Sequence, residues 1–475
     1  MLKFIHCADL HLNRLFKNIN ISRSDIREKL TNATKDAWNF IIESAIKEKV
    51  DFVAICGDIF DSETPDIATQ IEFVKSLRRL NDYQIKAFIV TGNHDPFKSW
   101  SSSLNFSANV TIFQPSEVNV LKLINRNNQH TANIFGYSFL NKQQRTNVVK
   151  KYYKYIDDNN FLERDVPNIG LLHCDIVGVN GTEELKSSPY APTTVAKLNN
   201  KSYIDYWALG HIHQTTEVLT KNCSINSIII YPGIMQGRSA NDQGDKGFYV
   251  ISYDGNKTAD KQWKCEFKPS STVNYYRTEI SLDFNDFELS FSDLTFEEKV
   301  DFLARSVHEK LIGKIKEKLL NNNENSRAKS VIFRCALAGR LAASIQDFFN
   351  DFDSEILDSI NQLLKDENNE EIDCYLEKFS CEFQTLHDFE DSQANSKFHN
   401  ELADYFIQLS ADLNNHGDLL KNKTKMQILI ENCKFLQINT KLKKQIFELL
   451  DDDDVAKIIE SGRVQSFNYI LDEEE

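Results

Sequence analysis

Short apolar runs that stop at a carboxylate, an amide or an imidazole recur along this chain, and they constrain its fold more than any other feature. The clearest is Val53-Ala54-Ile55-Cys56-Gly57-Asp58-Ile59-Phe60-Asp61. Its apolar half reads as a buried strand. Gly-Asp then turns the backbone and projects one carboxylate from the strand's C-terminal edge, where open α/β sheets bind ligands. Asp58 alone would be an ordinary turn former. The weight lies in repetition. Leu2 to Cys7 runs into Asp9-Leu10-His11, Ala87 to Val90 into Thr91-Gly92-Asn93-His94-Asp95, Ile169 to Leu172 into His173, and Tyr206 to Leu209 into Gly210-His211-Ile212-His213.

Between the first runs lie helical patterns. Ser24 to Lys49 places Ile26, Leu30, Ala33, Ala37 and Ile41 on one face. Thr64-Pro65-Asp66 reads as a helix start, with Ile67, Ile71, Val74 and Leu77 as its stripe. Strand, helix, strand at this spacing predicts parallel βαβ units. Trp100 to Asn168 has no clear period. Its segment Lys142 to Asp158 is basic, with Tyr152, Tyr153 and Tyr155 interleaved; a solvated helix or loop is the plain reading and a nucleic-acid surface the sharper one. Further strands are expected at Ile228 to Tyr231 and Gly247 to Tyr253. Composition changes after Lys268-Pro269-Ser270-Ser271-Thr272, which reads as a linker into a small α+β unit: strands at Tyr275 to Leu282, Ser330 to Ala338 and Tyr375 to Phe383, helices at Phe296 to Leu320 and Ser344 to Lys365. From Lys397 onward only helical stripes are seen, one of them Phe398, Leu402, Tyr405 and Leu409. The expected domains are therefore 1–270, 273–390 and a helical, partner-binding region at 391–475.

The chain's 475 residues carry a net charge of −15, which at first sight disfavours a polyanionic substrate. Its distribution removes the objection. Ser271 to Glu475 holds 23 Lys+Arg against 41 Asp+Glu, or −18, which leaves 32 against 29, or +3, for Met1 to Ser270. No apolar run is long enough for a signal peptide or a bilayer crossing. Nine cysteines, an odd number without a CxxC pair, read as buried free thiols and place the chain in the cytoplasm.

Asp9, His11, Asp58, Asn93, His173, His211 and His213 are the candidate metal ligands. A lone histidine is usually a hydrogen-bonded core or surface group; five of the chain's eleven follow strand-like runs beside Gly, Asp or Asn. Oxygen and imidazole donors without thiolate suit manganese, magnesium, iron or zinc. Two metals need a bridging carboxylate, the role assigned to Asp58, and an activated water between them is the nucleophile. His94 follows Asn93 and faces the same cleft as donor to the departing oxygen, with Asp95 orienting its ring. Cys7, Cys56 and Cys174 neighbour these residues and read as buried packing, not ligation.

These motifs resemble the calcineurin-like metallophosphoesterase superfamily, whose five blocks are all present in order. Tyr190-Ala191-Pro192, Asp205 to His213, and Tyr231-Pro232-Gly233-Ile234-Met235-Gln236-Gly237-Arg238 look like the YhaO-type branch of the SbcD-like DNA repair exonucleases. The likeness covers Met1 to Thr272 well, Val273 to Phe383 loosely as a capping domain, and the rest poorly. Departures are Asn13, Ile234 and Cys174. The resemblance implies an α/β sandwich flanked by helices, two Mn2+ (with Mg2+ or another divalent ion as substitute), and DNA phosphodiester hydrolysis. Asp9, His11, Asp58 and His213 would hold one ion; Asp58, Asn93, His173 and His211 the other; His94 would serve the transition state. It also implies a homodimer paired with an SMC-like coiled-coil ATPase in repair or phage defence. Arg14, Lys98 and Arg238 are candidate phosphate contacts. The rivals are a small-molecule phosphodiesterase and a non-catalytic scaffold.

Overall fold

The structure, a computed structural model, describes residues 1–12, 24–100, 104–161, 165–178, 188–199, 203–217, 227–257, 262–282, 291, 294–320, 325–366 and 372–385. Arg14 and the expected helical region at 391–475 lie outside them. The chain order is β1 (Leu2–Cys7), α1 (Ser24–Lys47), β2 (Phe52–Cys56), α2 (Ile67–Asp82), β3 (Lys86–Val90), β4 (Val110–Ile112), β5 (Asn119–Ile124), β6 (His130–Tyr137), α3 (Val149–Asp158), β7 (Asn168–His173), α4 (Val195–Leu198), β8 (Tyr206–Gly210), β9 (Thr216–Glu217), β10 (Ile228–Tyr231), β11 (Gly247–Tyr253) and β12 (Trp263–Pro269). Then come β13 (Val273–Ser281), α5 (Phe296–Leu320), β14 (Ser330–Leu341), α6 (Ala343–Asp351), α7 (Asp353–Asp366) and β15 (Asp373–Thr385).

Two six-stranded sheets face each other, in the orders β12-β11-β1-β2-β3-β4 and β5-β6-β7-β8-β10-β9. The runs β1 to β4 and β6-β7-β8-β10 are parallel, and both sheets have antiparallel edges. Side chains alternate across a strand. Phe4, Phe52, Ala54, Cys56, Phe88 and Val90 of the first sheet therefore meet Ile134, Ile169, Leu171, Tyr206, Ala208 and Ile230 of the second in one dry layer. The opposite face of the first sheet is covered by Ala37, Trp38, Ile41 and Ile42 of α1 and Phe73, Leu77 and Leu80 of α2. The opposite face of the second is covered by Val149, Tyr152 and Ile156 of α3. His6 sits in the central layer, fully buried; its Nδ1 accepts from the Tyr206 hydroxyl at 3.0 Å and its Nε2–H donates to the Leu209 carbonyl at 3.1 Å. This satisfies both ring nitrogens without a metal.

Three expectations are corrected here. Helix α2 begins at Ile67 and is capped by Asp66, not Thr64: the Asp66 carboxylate accepts from the Thr69 amide at 2.8 Å. Its buried stripe starts only at Phe73, because Ile67 and Ile71 stand 74% and 44% exposed. The interleaved tyrosines are packing residues. Tyr152 is fully buried and donates to the Leu171 carbonyl at 2.5 Å, and Tyr153 stacks on Tyr203 with ring centroids 4.7 Å apart. The segment read as a linker is no loose tether either. Ser270 and Ser271 are fully buried, with their hydroxyls on the Met235 carbonyl (2.7 Å) and Asn274 Oδ1 (2.7 Å).

The chain divides into two compact units. The first comprises Met1–Ile280, Asp301–Ala336 and Ser354–Ser380, and thus the whole sandwich. Within it, Ile26, Leu30 and Ala33 of α1 pack on Val273, Tyr275, Ile332 and Tyr375 of the three-stranded sheet β13-β14-β15. The second unit comprises Ser281–Val300, Leu337–Asp353 and Cys381–Glu475. Among its described residues Phe291, Phe296, Phe348 and Phe352 form an aromatic cluster, with Lys299 Nζ 5.2 Å from the Phe291 ring centre.

Candidate metal centre

The parallel strands explain why residues so far apart in sequence meet. Adjacent strands lie about 4.8 Å apart, so the loops leaving β1, β2 and β3 deliver Asp9 with His11, Asp58 and Asn93 side by side. In the second sheet His173 pairs in register with Gly210, which sets His173 next to the loop of His211 and His213. All seven expected ligands converge at this one end of the sandwich. Asp9, His11, Asp58, Asn93 and His173 are buried there.

Three glycines make the convergence sterically possible. A Cβ on Gly57 would lie 2.3 Å from His173 Nδ1, one on Gly92 2.1 Å from Asp58 Oδ1, and one on Gly210 1.7 Å from the Cys56 carbonyl oxygen. The backbone is also forced. Asp9, His11 and Asp58 have φ near +50° (50°, 44° and 50°) and His211 has +105°. Non-glycine residues adopt such angles at a cost of about 1–3 kcal/mol each and do so mainly at functional sites. The loops are held by backbone bonds: Asp9 N–H to the Gly57 carbonyl at 3.1 Å and His11 N–H to the Asp58 carbonyl at 2.9 Å.

Hydrogen bonds fix which ring atoms face inward. His173 Nδ1–H donates to the Cys56 carbonyl at 3.1 Å, which leaves its Nε2 lone pair 2.9 Å from Asn93 Oδ1 and 3.6 Å from Asp58 Oδ2. His11 Nδ1–H donates to Asp61 Oδ1 at 2.9 Å, leaving Nε2 3.2 Å from His213 Nε2 and 4.0 Å from Asp58 Oδ2. His211 Nδ1 lies 3.1 Å from Asn93 Oδ1, and its amide donates to both Asp9 oxygens at 3.1 and 3.0 Å. Such outer bonds on metal-binding imidazoles set tautomer and orientation.

The electrostatics fit cations. Asp9, His11 and His213 offer donor atoms within 4.8 Å of one another, and so do Asp9, Asp58 and His173. Burial and the neighbouring Asp58 push the Asp9 carboxyl well above the usual range. Among the described residues no Lys or Arg forms a salt bridge with Asp9 or Asp58. Two carboxylates brought together out of water, with only the more distant Arg238 to offset their charge, are stabilised by a divalent ion. Burial lowers the imidazoles, His11 to about 4, His173 and His211 to about 3, and His213, which also faces Arg238, to about 2. They are neutral near pH 7, as ligation requires. The residues present therefore fit an oxygen- and nitrogen-ligated pair of hard divalent cations.

His94 stands at the edge, 40% exposed, with its amide donating to Asp58 Oδ1 at 2.9 Å. Asp95 does not orient it as expected. The buried Asp95 carboxylate accepts from the amides of Ile59 (2.9 Å), Phe60 (3.3 Å) and Gly92 (3.1 Å), tying the second and third ligand loops together. Asp61 takes the expected role: its carbonyl accepts from His94 Nδ1 at 3.2 Å, and its carboxylate is 3.9 Å away. Asp61 lies three residues after Asp58, a spacing that in hindsight carried the signal. Arg238 reaches the site, 11% exposed, with guanidinium contacts to Asp61 Oδ1 (3.3 Å) and His213 Nδ1 (3.0 Å). Lys98 is exposed on the 3₁₀ turn Phe97–Ser99, outside the cleft wall. Cys7, Cys56 and Cys174 are buried beneath the site, and burial raises all three thiols. Above it opens a cleft of about 440 Å³, lined by His94, His211 and His213, by Tyr190 of the Tyr190-Ala191-Pro192 block, and by residues the sequence pattern did not single out, among them Gln214, Asn241 and Asp242.

Comparison with known proteins agrees with this geometry. Residues 2–215 match the model of the calcineurin-like phosphoesterase family. An uncharacterized metallophosphoesterase, YhaO of Bacillus subtilis, is 32% identical over 55% of this chain and 62% of its own length. The DNA double-strand break repair protein Mre11 of Saccharolobus solfataricus is 23% identical over 53% of this chain and 61% of its own. Mre11 of Methanococcus maripaludis is 23% identical over 67% of this chain and 82% of its own. The chain thus spans 62% and 61% of the first two relatives. All seven ligand positions, in their order along the strands, fall within residues 2–215, the segment that matches the calcineurin-like phosphoesterase model.

Proposed function

We propose that this protein hydrolyses phosphodiester bonds of DNA with two bound Mn2+ ions. The convergence of Asp9, His11, Asp58, Asn93, His173, His211 and His213 at one end of the sandwich carries this reading. Asp9, His11, Asp58 and His213 would hold one ion, and Asp58, Asn93, His173 and His211 the other. When bound, the ions would supply charge stabilisation of the phosphoryl group and a water acidified to neutral pH. The protein's own part is positioning. Asp61 accepts from His94 Nδ1, so Nε2 is the atom free to hand a proton to the departing oxygen. Asp95 holds the loops in register, and Arg238 braces His213 and Asp61.

Relatives named as DNA double-strand break repair proteins favour DNA over a small diester. We further propose action in the cytoplasm as a homodimer with an SMC-like coiled-coil ATPase, in repair or phage defence. The described cysteines are all free, in keeping with a reducing compartment, and no helix among the described residues is long and apolar enough to cross a membrane. The domain limits 1–270, 273–390 and 391–475 remain part of this proposal. The test is the purified full chain with Mn2+ and end-labelled linear duplex or single-stranded DNA. Manganese-dependent shortening is expected; inactivity on both, with and without the ATPase, refutes the reading.

A further inference from the structure

Four side chains at the first ion's proposed site close a circuit of hydrogen bonds. Asp61 Oδ1 accepts from His11 Nδ1–H at 2.9 Å. His11 Nε2 lies 3.2 Å from His213 Nε2. Arg238 Nη2 stands 3.0 Å from His213 Nδ1, nearer than its 3.4 Å to Nε2. Arg238 Nη1 then returns to Asp61 Oδ1 at 3.3 Å. A guanidinium only donates, and a neutral imidazole carries one N–H. The direction of each bond is therefore set. Arg238 donates to His213 Nδ1, so the proton of His213 sits on Nε2 and is donated to His11 Nε2.

This circuit satisfies the empty site but leaves it unready to ligate. For both Nε2 atoms to offer lone pairs, His213 must release its Nε2 proton to solvent and take one up on Nδ1. The imidazole stays neutral, but its Nδ1–H then faces the donors of Arg238, which must withdraw. The second site needs no such change. His173 Nδ1–H is held by the Cys56 carbonyl at 3.1 Å, so its Nε2 lone pair already faces Asn93 and Asp58. The charge of Arg238 is equally one-sided. Beyond burial, it lowers His213 and His11 and offsets part of the rise at Asp9, all three being ligands of the first ion. His173 and His211 are lowered by burial and then by neighbouring imidazoles.

Resting on the ligand assignment above, we propose that Arg238 is a resident cation that holds the first site closed until a metal ion displaces it from His213. The two ions therefore load in sequence, the site of Asp58, Asn93, His173 and His211 ahead of the site of Asp9, His11, Asp58 and His213. Arg238 is a positioning residue with two opposed effects. It stabilises the metal-free protein by completing the circuit, and it weakens binding of the first ion by the bond that has to break. At low Mn2+ the chain holds one ion.

The test is isothermal titration with Mn2+, together with melting curves of the metal-free full chain, for the native protein, R238M and R238Q. The native chain should bind two ions of unequal affinity. R238M removes the charge and the donors. It should tighten the weaker ion roughly 10- to 100-fold, the equivalent of one hydrogen bond to a charged group, and leave the tighter ion nearly unmoved. Metal-free, R238M should melt below the native chain, because the circuit is open. R238Q carries the same expectation and stands in if R238M does not fold. A simple brace would move both readings the same way. A lower melting point with weaker or unchanged binding of the weaker ion therefore overturns the proposal, and so do two ions of equal affinity in the native chain. A native chain that binds no Mn2+ removes the ligand assignment itself and the proposal with it. That result is distinct from two bound ions that R238M leaves unmoved.

Discussion

His11 and His213 lie 202 positions apart in the chain, yet their Nε2 atoms are 3.2 Å from each other. With Asp61 fixing the far nitrogen of His11, that pair is aimed at a common point beside Asp9 and Asp58. A cation that binds the native state and not the unfolded chain stabilises by about 2.7 kcal/mol at 100 times its Kd. Mn2+ should therefore raise Tm by roughly 3–4 °C for each such site, and chelation should reverse it. H213A should lose a large part of the rise. A melting curve indifferent to Mn2+ would contradict the metal centre.

His94 and the ligands are separable. H94Q should lower kcat by about 10²- to 10⁴-fold, the range for losing a general acid. The Mn2+-induced rise in Tm should survive, since His94 is outside the proposed ligand set. Loss of both together would place His94 among the ligands.

Asp61 acts through two histidines, on His11 by its carboxylate and on His94 by its carbonyl. D61A should cut Mn2+ affinity by roughly 10- to 100-fold, as removal of outer partners of metal ligands does. Isothermal titration with Mn2+ reads this directly. Native affinity in D61A would mean that the bond to His11 does not set its orientation.

Gly57 combines φ +87° with 2.3 Å between its missing Cβ and His173 Nδ1. G57A should push His173 off its position, and a displacement near 1 Å costs on the order of 100-fold in rate. Far-UV circular dichroism should be unchanged, because the strands do not depend on that methyl-sized gap. Full activity in G57A would show that the loop can yield.

The five sequence blocks that led to the site were local, and so they were legible. Each ligand sits within a few residues of the strand that positions it, and apolar run plus Gly, Asp or His is a pattern confined to one stretch. What escaped depends on contacts between distant elements. Arg238 reads as a surface cation until β10 and the following loop bring it 3.0 Å from His213. The Tyr190 block was legible as a motif, but the packing of its ring against His211 at 4.7 Å was not. Asp95 was assigned by adjacency to His94, but its carboxylate points back to the loop of Ile59 and Phe60. Strands β5 and β6 were illegible because β5 is an edge strand with a weak burial pattern, while α2 misled because its first turn leaves Ile67 and Ile71 in solvent.

Acid should reveal His6. Unfolded, its imidazole takes up a proton below about pH 6.5; folded, burial lowers it to about 3. Between these values the unfolded chain binds more protons, so native stability falls as pH falls, by at most about 1.4 kcal/mol per unit. In metal-free buffer, urea unfolding of the native chain should lose about 2 kcal/mol more than H6Q between pH 7 and 5. Parallel losses would assign the acid sensitivity to other groups.

Asp9, His11, Asp58 and His211 each occupy backbone that glycine would take without penalty. A library of variants selected only for heat resistance should shed these four side chains early, because glycine at positions 9, 11, 58 and 211 relaxes the chain while deleting its chemistry. Survivors of such a screen would be sturdier and inert, and any thermostabilisation of this protein has to be sought in the helices and sheet edges, away from the bends that hold its ligands.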